Sequence, residues 1–432
     1  MTTRANAPSL TEDTVRQLSQ RHNEPDWLLQ RRLDAWRVYE AMSMPNPLEE
    51  EWRRTDLSRV DFDEALAGTL PQTTPLHVGD LRGAGGVVAV TAAGRPYWSQ
   101  SADLDSRVYL RDLHHAAKDR EALVRKHLHS LVQPSEWKLS ALQAALWEGG
   151  AFIYVPAGVE ATLPLRYAVE QGAAPIFPHL LIVAEPNSSV TVVQEASGEA
   201  PAGWSLLSGA VEIVAGADSR VRFVDVNRLG TRRVAAFSTI RARLDRGAEL
   251  SAALIGLGGT LSKTRLEVTL AGEGSRAELL GLAFGDGKQH FDYVTLQDHI
   301  APRTASDLLF KAALDGESST VWTGTVRIQK GASASEANQT SRNLLLSDHA
   351  KAAPIPVLEI EAFDVLKCSH GATAGPLDED QRFYLESRGI PPAEAQNLLV
   401  EAFFREVIDR LPEGVDRETL DQAVTAKIGA SS

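Results

Sequence analysis

The sequence predicts a mainly β protein with a parallel β-helix (solenoid) core flanked by helical N-terminal and C-terminal subdomains. Three observations predict this fold. From about Ala151 short β-rich segments follow one another, and similar small-residue turns separate them at intervals of roughly 25–30 residues. No helix-length segment lies between these strands, whereas the segments before and after them have helical apolar periodicity. We therefore divide the chain into regions 1–150, 151–375 and 376–432.

Region 1–150 is predicted to be mainly helical. In EPDWLLQRRLDAWRVYEAM the apolar residues, among them Trp27, Leu33 and Trp36, recur at three- and four-residue spacing, which places them on one face of a helix. Prolines in MPNPLEEEW end that helix. A second helical stretch is predicted over 110–148, before Gly149 and Gly150.

Region 151–375 is predicted to form the solenoid. Its turn clusters resemble one another: EPNSSV, AGADSRV, DRGAEL and AGEGSRA. The lack of helices between the strands argues against an α/β sheet with crossover helices. A β-sandwich would also give many short strands, but the repeated turn and the shortage of hairpin dipeptides favour the parallel β-helix.

Region 376–432 is predicted to be helical. Asp378 can cap a helix, with Gln381 in the capping-box position, and Gly389 followed by Pro391 ends it. The next helix repeats Leu399, Phe403 and Val407 every four residues. Such an apolar stripe must be covered, and we expect it to contact either the open end of the solenoid or a partner.

Composition excludes several classes of protein. A net charge of -13 over 432 residues argues against nucleic-acid binding, because phosphates would be repelled. We expect no membrane span, because no apolar run approaches the ~18 residues that one needs. The N-terminus lacks the pattern of a signal peptide, and the chain has one cysteine, so a reducing cytoplasm is expected.

Two motifs fail as catalytic sites, so the sequence supports neither ATP hydrolysis nor serine hydrolase chemistry. GLGGTLSKT has Ser262 where a phosphate-binding loop needs glycine, and GWSLL lacks the spacing of a nucleophile elbow. The run HFDYVTLQDH could supply metal ligands from the residues His290, Asp292, Asp298 and His299. A polar outer face of the solenoid is the favoured interpretation of this run, and a metal-dependent enzyme is the alternative.

The segment KCSHGAT contains the only cysteine, Cys368, two positions before His370. In an extended segment the two side chains share a face, and both suit iron or zinc. Iron–sulfur clusters usually take about four protein ligands, so a cluster here would need ligands from another subunit. From the residue types alone, the favoured interpretation is a small buried cysteine beside a histidine that caps or hydrogen-bonds the following turn, and the metal-ligand pair is the alternative.

NQTSRNLLLSDHA and PVLEIEAFDVLKCSHGATAGPLDEDQRFYLESRGI resemble the SufB/SufD family of iron–sulfur cluster assembly proteins, as do EPDWLLQRRLDAW and EEEWRRTDLSRV near the N-terminus. The resemblance covers nearly the whole chain and is greater to the SufD branch. In the SufB form a glutamate would follow the histidine, where this chain has Gly371.

The resemblance implies a non-enzymatic scaffold subunit, with a β-helix that pairs with SufB near the motif and C-terminal helices that bind the SufC ATPase. It implies Cys368 and His370 as candidate ligands of a nascent iron–sulfur cluster at the SufB interface, with no cofactor held stably by the chain alone. An isolated chain could form a homodimer, and a purely architectural subunit that lends no metal ligand is the alternative. The implied partner-binding residues are Gln381, Phe383, Tyr384, Arg388, Gly389, Leu398 and Phe403.

Overall fold

The core of the molecule is a solenoid in which consecutive strands alternate between two sheets. The computed structural model describes residues 10–67, 85–91, 97–172, 174–199, 203–412 and 415–431. Three strands precede the core: β1 (Gly86–Thr91), β2 (Tyr97–Gln100) and β3 (Tyr109–Asp112). The core strands are β4 (Ala151–Val155), β5 (Leu165–Glu170), β6 (His179–Ala184), β7 (Ser189–Gly198), β8 (Ser205–Ala215), β9 (Arg220–Leu229), β10 (Val234–Leu244), β11 (Glu249–Gly256), β12 (Leu261–Leu270), β13 (Arg276–Gly285), β14 (His290–His299), β15 (Ala305–Leu314), β16 (Ser319–Ile328), β17 (Glu336–Leu345), β18 (Lys351–Ile360) and β19 (Lys367–Pro376).

Each coil contributes one strand to each sheet. Sheet A has the order β19-β17-β15-β13-β11-β9-β7-β5-β1-β2, and sheet B has the order β18-β16-β14-β12-β10-β8-β6-β4-β3. From β4 onward, neighbours in each sheet pair in parallel. The parallel β-helix prediction is therefore confirmed, and the β-sandwich alternative is wrong because strands that follow each other in the chain lie in different sheets.

The length of one coil can be measured from the pairing of successive strands in a sheet. The shortest offset is 26 residues, where Ala235 pairs with Leu261, and the longest is 32, where Ser319 pairs with Lys351. These offsets agree with the repeat of the turns in the sequence.

The predicted repeating turns lie on one corner of the solenoid. At this corner a residue adopts positive φ in seven consecutive coils, and its backbone N–H donates to a carbonyl of the next coil. Glycine, asparagine and aspartate tolerate this left-handed conformation best, which explains the composition of the turn clusters. The seven residues are Gly158, Asn187, Asp218, Gly247, Gly274, Arg303 and Ala334.

The strands β1, β2 and β3 lie in region 1–150, which was predicted to be mainly helical. β1 pairs in parallel with β5 and antiparallel with β2, and β3 pairs antiparallel with β4, so both sheets extend past the first coil. The helical stretch predicted over 110–148 contains β3 at its start. A lone strand of four residues has too few positions to show a period, so its type is decided by the sheet edge that it joins.

The N-terminal helices include α1 (Glu12–His22), α2 (Asp26–Ala41), α3 (Phe62–Leu66), α4 (Leu113–Asp119), α5 (Glu121–His127) and α6 (Lys138–Leu146), with a 3-10 turn at Leu57–Arg59. The predicted stripe is confirmed on α2, where Leu28, Leu33 and Trp36 are buried. Helices α1, α2, α3 and α6 pack on outward side chains of sheet B that include Phe237, and α4 and α5 pack with α2 on another part of the same face, which includes Phe152 and Leu181. We call these helices and their connections the N-terminal layer.

The C-terminal helices are α7 (Glu379–Ser387), α8 (Pro392–Asp409) and α9 (Arg417–Ser431). Asp378 caps α7 as predicted, since its carboxylate accepts from the N–H groups of Asp380 and Gln381. Of the stripe predicted on α8, Val407 is buried, whereas Leu399 and Phe403 are only half-buried. The buried face is formed by Val400, Phe404 and Val407, which pack against outward apolar side chains of sheet A and not at the open end of the solenoid, so that expected target is wrong. Those strands are apolar on both faces, so their outer face must be covered by the same chain.

Within the described ranges, no helix combines the length and the apolar character that a membrane crossing requires.

Candidate functional site

The last coil leaves the end of the solenoid uncovered. β18 and β19 are the edge strands of sheets B and A, and no described residue pairs with their outer edges. In an earlier strand such as β15, at least every second side chain is buried. In β18 and β19, by contrast, every side chain is half-buried or exposed. Edge strands of this kind present free backbone donors and acceptors to another chain.

Cys368 and His370 lie on the inward face of this last coil. In the parallel register Cys368 lies opposite Ala337, and His370 lies opposite Gln339. Ala337 and Gln339 are both buried inside the solenoid, so the positions above them also face its axis. Both residues lie on β19, so their segment is extended. The thiol and the imidazole therefore stand side by side over the open end.

The two side chains differ in environment. Cys368 is half-buried and packs against a small apolar cluster that includes Val326 and Ile328, whereas His370 is exposed. Burial raises the pKa of the Cys368 thiol. A metal ion or another cation brought to this end would favour the thiolate, which is the form that binds metals.

The interior directly below the open end is polar. Gln339 is fully buried and donates to the carbonyls of Gly324 (3.0 Å) and Val357 (3.2 Å), while its own amide oxygen accepts no bond. Asn343 likewise donates to the carbonyl of Thr373 (2.9 Å) and leaves its amide oxygen free. Earlier coils are filled mainly by apolar side chains, with isolated buried polar residues such as Asp225 and His299 among them. The open end thus combines a thiol, an imidazole and unsatisfied amide oxygens.

Large apolar side chains border the same end. Phe363 is fully exposed, and Leu366 is 66% exposed, in the turn that joins β18 to β19. Ile360, the last residue of β18, is also exposed. Exposed apolar residues next to unpaired strand edges are typical of a protein–protein interface.

The residues implied as partner-binding fall into two groups. Gln381, Phe383, Tyr384, Arg388 and Gly389 are exposed on or just after α7, and Phe383 is 71% exposed. Arg388 lies over the Tyr384 ring, 5.2 Å from its centroid.

On α8 the outcome is mixed. Leu398 is exposed, whereas Phe403 is half-buried against sheet A. The carbonyl of Phe403 accepts a bond from Lys311 (2.7 Å) on β15. Phe403 thus contributes to holding α8 on the solenoid, and only part of its ring is free for a partner.

The residues of HFDYVTLQDH do not converge on one site. His290 and Asp292 face outward under the N-terminal layer, where Asp292 accepts bonds from Lys263 (2.5 Å) and Thr55. His299 faces the interior and is bonded to Thr304 and Ser306, both at 2.8 Å. Burial lowers the pKa of His290 to about 4. The favoured interpretation as an outer face holds for His290 and Asp292, although that face is covered.

A buried group that the sequence analysis missed lies between the N-terminal layer and sheet B. One ligand atom from each of His129, His179 and Glu212 lies within 4.8 Å of the others, so the group could hold a metal ion. These residues are far apart in the sequence and match no ligand spacing. The one available signal is Glu212, a carboxylate within the apolar strand segment AVEIVA.

The comparison with known families agrees with this geometry. Residues 167–403 match the family model "SUF system FeS cluster assembly, SufBD core domain", and residues 86–167 match "SufBD protein N-terminal region". The core match spans the solenoid from β5 to the exposed β19 and continues into α8.

Curated relatives match over nearly the full chain. The iron–sulfur cluster assembly protein SufD of Bacillus subtilis is 31% identical over 424 residues, covering 95% of this chain and 96% of the relative. A SufBD family protein of Staphylococcus epidermidis is 27% identical over 425 residues, covering 93% and 90%. A SufBD family protein of Staphylococcus aureus has the same identity and coverage. The chain therefore belongs to the SufBD family of the SUF iron–sulfur cluster assembly system and resembles SufD within it.

Proposed function

We propose that the chain is the SufD-type subunit of a cytoplasmic SufB–SufC–SufD scaffold on which iron–sulfur clusters are assembled. It acts as a non-catalytic component that binds SufB through the open end of its solenoid and the SufC ATPase through its C-terminal helices. The observation that carries this proposal is the pair Cys368 and His370, side by side on the uncovered inward face of the last coil.

The open end favours another β-solenoid as the partner. A strand of SufB laid against β18 or β19 would pair with the free backbone groups there, as strand addition does elsewhere. Phe363 and Leu366 would then become buried, at roughly 25 cal/mol per Å² of apolar surface removed from water. The same edge could pair with a second copy of this chain when SufB is absent.

Cys368 and His370 alone are too few ligands to hold a cluster, so SufB must contribute ligands to it. One thiol and one imidazole supply two of the roughly four ligands that a cluster needs. SufB would supply the others across the interface. Arrival of iron, the cargo of the system, would shift Cys368 from thiol to thiolate because the cation stabilises the charged form.

The C-terminal helices provide a connection from the ATPase to this interface. Phe383 and Tyr384 are exposed to solvent on α7, and only two residues separate α7 from β19. α8 is fixed to sheet A by its buried face, and Lys311 bonds both the Phe403 carbonyl and Glu406 (2.6 Å). A movement of SufC on ATP binding would reach the last coil through this short link, opening the SufB interface for iron and sulfide.

A purely architectural role is the second candidate. It is favoured by the apolar contacts of Cys368, whose burial keeps the thiol protonated in the free chain. In that case His370 would contribute only to the packing of the interface.

Replacement of His370 by alanine distinguishes the two candidates. Since His370 is exposed, the variant is expected to fold and to co-purify with SufB and SufC, but to yield at least about tenfold less cluster in reconstitution. The measurement is iron and sulfide content per complex, with subunit stoichiometry determined separately. His349→Ala, an exposed histidine in the turn before β18, is the matched control and should assemble clusters at the normal rate.

If the His370→Ala complex is intact and assembles clusters normally, the ligand role is wrong and the architectural candidate stands. If the chain does not associate with SufB or SufC at all, the proposed function itself is wrong.

A further inference from the structure

We propose that His129, His179 and Glu212 bind one divalent transition-metal ion, Zn²⁺ or Fe²⁺, between the N-terminal layer and sheet B. This site lies on β6 and β8 and in the loop after α5, five strands of sheet B away from the open end, or ~24 Å along the solenoid. It is independent of the proposed role of Cys368 and His370.

The fold brings the three residues together from separate elements. His179 begins β6, and Glu212 lies on β8 opposite Leu181, so the two side chains are diagonal neighbours on the outward face of sheet B. His129 comes from the N-terminal layer, in the connection between α5 and α6, and has φ of 57°. The His129 and His179 rings are nearly perpendicular, with centroids 4.8 Å apart.

The imidazoles have poorly paired ring nitrogens. Both ring nitrogens of His129 and Nε2 of His179 are buried and lack a hydrogen bond of good geometry, and the polar neighbours of these rings are the backbone of Val132 for His129 and the Glu212 carboxylate for His179. His129 is 8% exposed and His179 is 0% exposed. Buried polar atoms are almost always well paired, so poorly paired nitrogens on two adjacent imidazoles indicate a ligand that satisfies them.

The Glu212 carboxylate is held by backbone N–H groups on both oxygens, and Oε1 also faces the His179 ring. Oε1 of Glu212 accepts from the N–H of His129 (2.6 Å), and Oε2 accepts from the N–H groups of Ser130 (3.0 Å) and Leu131 (3.2 Å). Oε1 also faces Nε2 of His179 at 3.5 Å. A divalent cation at this point would balance the charge of a fully buried carboxylate.

The ligand set selects the kind of metal. Two imidazoles and one carboxylate are a common set for Zn²⁺ and suit Fe²⁺, whereas Mg²⁺ and Ca²⁺ prefer oxygen ligands. Burial lowers the pKa of His129 well below its ordinary value, which keeps the ring neutral and able to donate its lone pair.

Binding requires two adjustments. Tetrahedral ligand atoms lie about 3.3 Å apart, whereas the three ligand atoms here are separated by up to 4.8 Å, so they must move closer together. His179 must also carry its proton on Nδ1, where Gln143 now donates at 3.2 Å, so the Gln143 amide must turn to present its oxygen and give up its bond to the Pro178 carbonyl (3.1 Å).

The test uses the isolated full-length chain, stripped of metal with a chelator and titrated with Zn²⁺ alone or, without oxygen, with Fe²⁺ alone. We expect about one equivalent to bind, with a raised thermal midpoint and, after Co²⁺ loading, visible absorption of a low-coordinate site. His129→Asn is expected to weaken binding at least tenfold. Asparagine tolerates the left-handed backbone at this position, and the N–H bond to Glu212 is kept.

His127→Asn is the matched control, because His127 is buried two residues away and outside the group. It should retain one equivalent of metal. Glu212→Gln, which keeps one oxygen acceptor for the backbone donors, provides a second ligand variant if His129→Asn does not fold.

The proposal is overturned if the wild-type chain binds no metal, or if His129→Asn and Glu212→Gln bind as tightly as the wild type. It is also overturned if His127→Asn loses as much metal as His129→Asn. None of these results bears on SufB association, so the failure of this proposal and the failure of the proposed function remain distinguishable.

Discussion

Replacing Arg32 with methionine is expected to lower the free energy of unfolding by about 3–5 kcal/mol. Arg32 on α2 donates from Nε (2.9 Å) and Nη2 (2.7 Å) to the two oxygens of Glu24, and both side chains are fully buried. It also donates to the carbonyl of Ala145 (3.0 Å) and lies 4.1 Å from the centroid of the Trp147 ring. Methionine fills similar space but leaves the Glu24 carboxylate without its cation.

The electrostatics of Glu24 give this prediction a pH dependence. Burial alone would raise the pKa of the carboxyl, but the charge of Arg32 and the hydrogen bonds from His114 and Arg32 hold it well below its ordinary value. A lowered folded-state pKa contributes stability above the unfolded value of about 4.3, and this stability is lost as the pH falls below it. The loss caused by Arg32→Met should therefore be largest at neutral pH and smaller below pH ~4.

Chemical denaturation of the wild type and the variant at several pH values measures this effect. Arg16→Met is the matched control, since Arg16 pairs with Glu12 on the exposed face of α1 and should cost less than about 1 kcal/mol. The double variant Glu24→Gln, Arg32→Met should be more stable than Arg32→Met alone, because the stranded charge is gone. If Arg16→Met and Arg32→Met lower the free energy of unfolding by the same amount, the buried pair of Arg32 and Glu24 has no special role in stability.

Replacing Asp225 with asparagine is expected to raise the free energy of unfolding at pH 7 by about 2 kcal/mol. Asp225 on β9 faces the interior of the solenoid, two positions after the core residue Phe223. Burial raises the pKa of this carboxyl to about 6, and one hydrogen bond from Gln194 (2.8 Å) offsets only part of that effect. Asparagine keeps an oxygen for Gln194 and removes the buried charge.

The pH dependence follows from the raised pKa. The folded chain holds the proton on Asp225 up to pH about 6, and the unfolded chain releases it near pH 3.9. Stability from this group is therefore lost as the pH rises through that interval. The advantage of Asp225→Asn should be near zero at pH 4 and reach its full value by pH 7.

Paired denaturation curves from pH 4 to 7.5 check this result. Asp34→Asn, which removes an exposed carboxylate on α2, should change stability by less than about 0.5 kcal/mol at every pH. A destabilised Asp225→Asn variant at pH 7, or a difference that does not vary with pH, would show that the carboxylate is stabilised inside the solenoid.

The solenoid and its corner were predictable because the same physical requirement recurs in every coil. A tight corner needs a left-handed residue, so Asn187, Asp218, Gly247 and Gly274 mark the period in the sequence. The cap of α7 by Asp378 was predictable for the same kind of reason, since a helix start needs a side-chain acceptor. The parallel pairing of whole strands then follows from the period.

Features that depend on contacts between distant segments were not predictable. The target of the α8 stripe is set by the outward apolar residues of sheet A, and the pairing of β3 is set by an edge that exists only after the first coil has formed. His129, His179 and Glu212 converge through the packing of a loop on a sheet, which leaves no spacing in the sequence.

The candidate site at the open end was predictable in part. The spacing of Cys368 and His370 indicated that the two side chains share a face. The register with Ala337 and Gln339 shows that this face is inward. The strand order shows that no described strand lies beyond it. Sequence periodicity shows which residues share a face, but only the strand order shows which strand lies at the edge.

If SufB covers the open end of the solenoid, it must also cover Cys368, the only thiol in the chain. The alkylation rate of Cys368 tests this most directly. Mass spectrometry of its peptide, after timed exposure to a maleimide at pH 8, follows this site even in the presence of partner cysteines. We expect steady labelling of the free chain, little change on adding SufC alone, and labelling slowed about tenfold or more once SufB is bound. An equal rate with and without bound SufB would contradict it, because Cys368 would then lie outside the surface where the two solenoids meet.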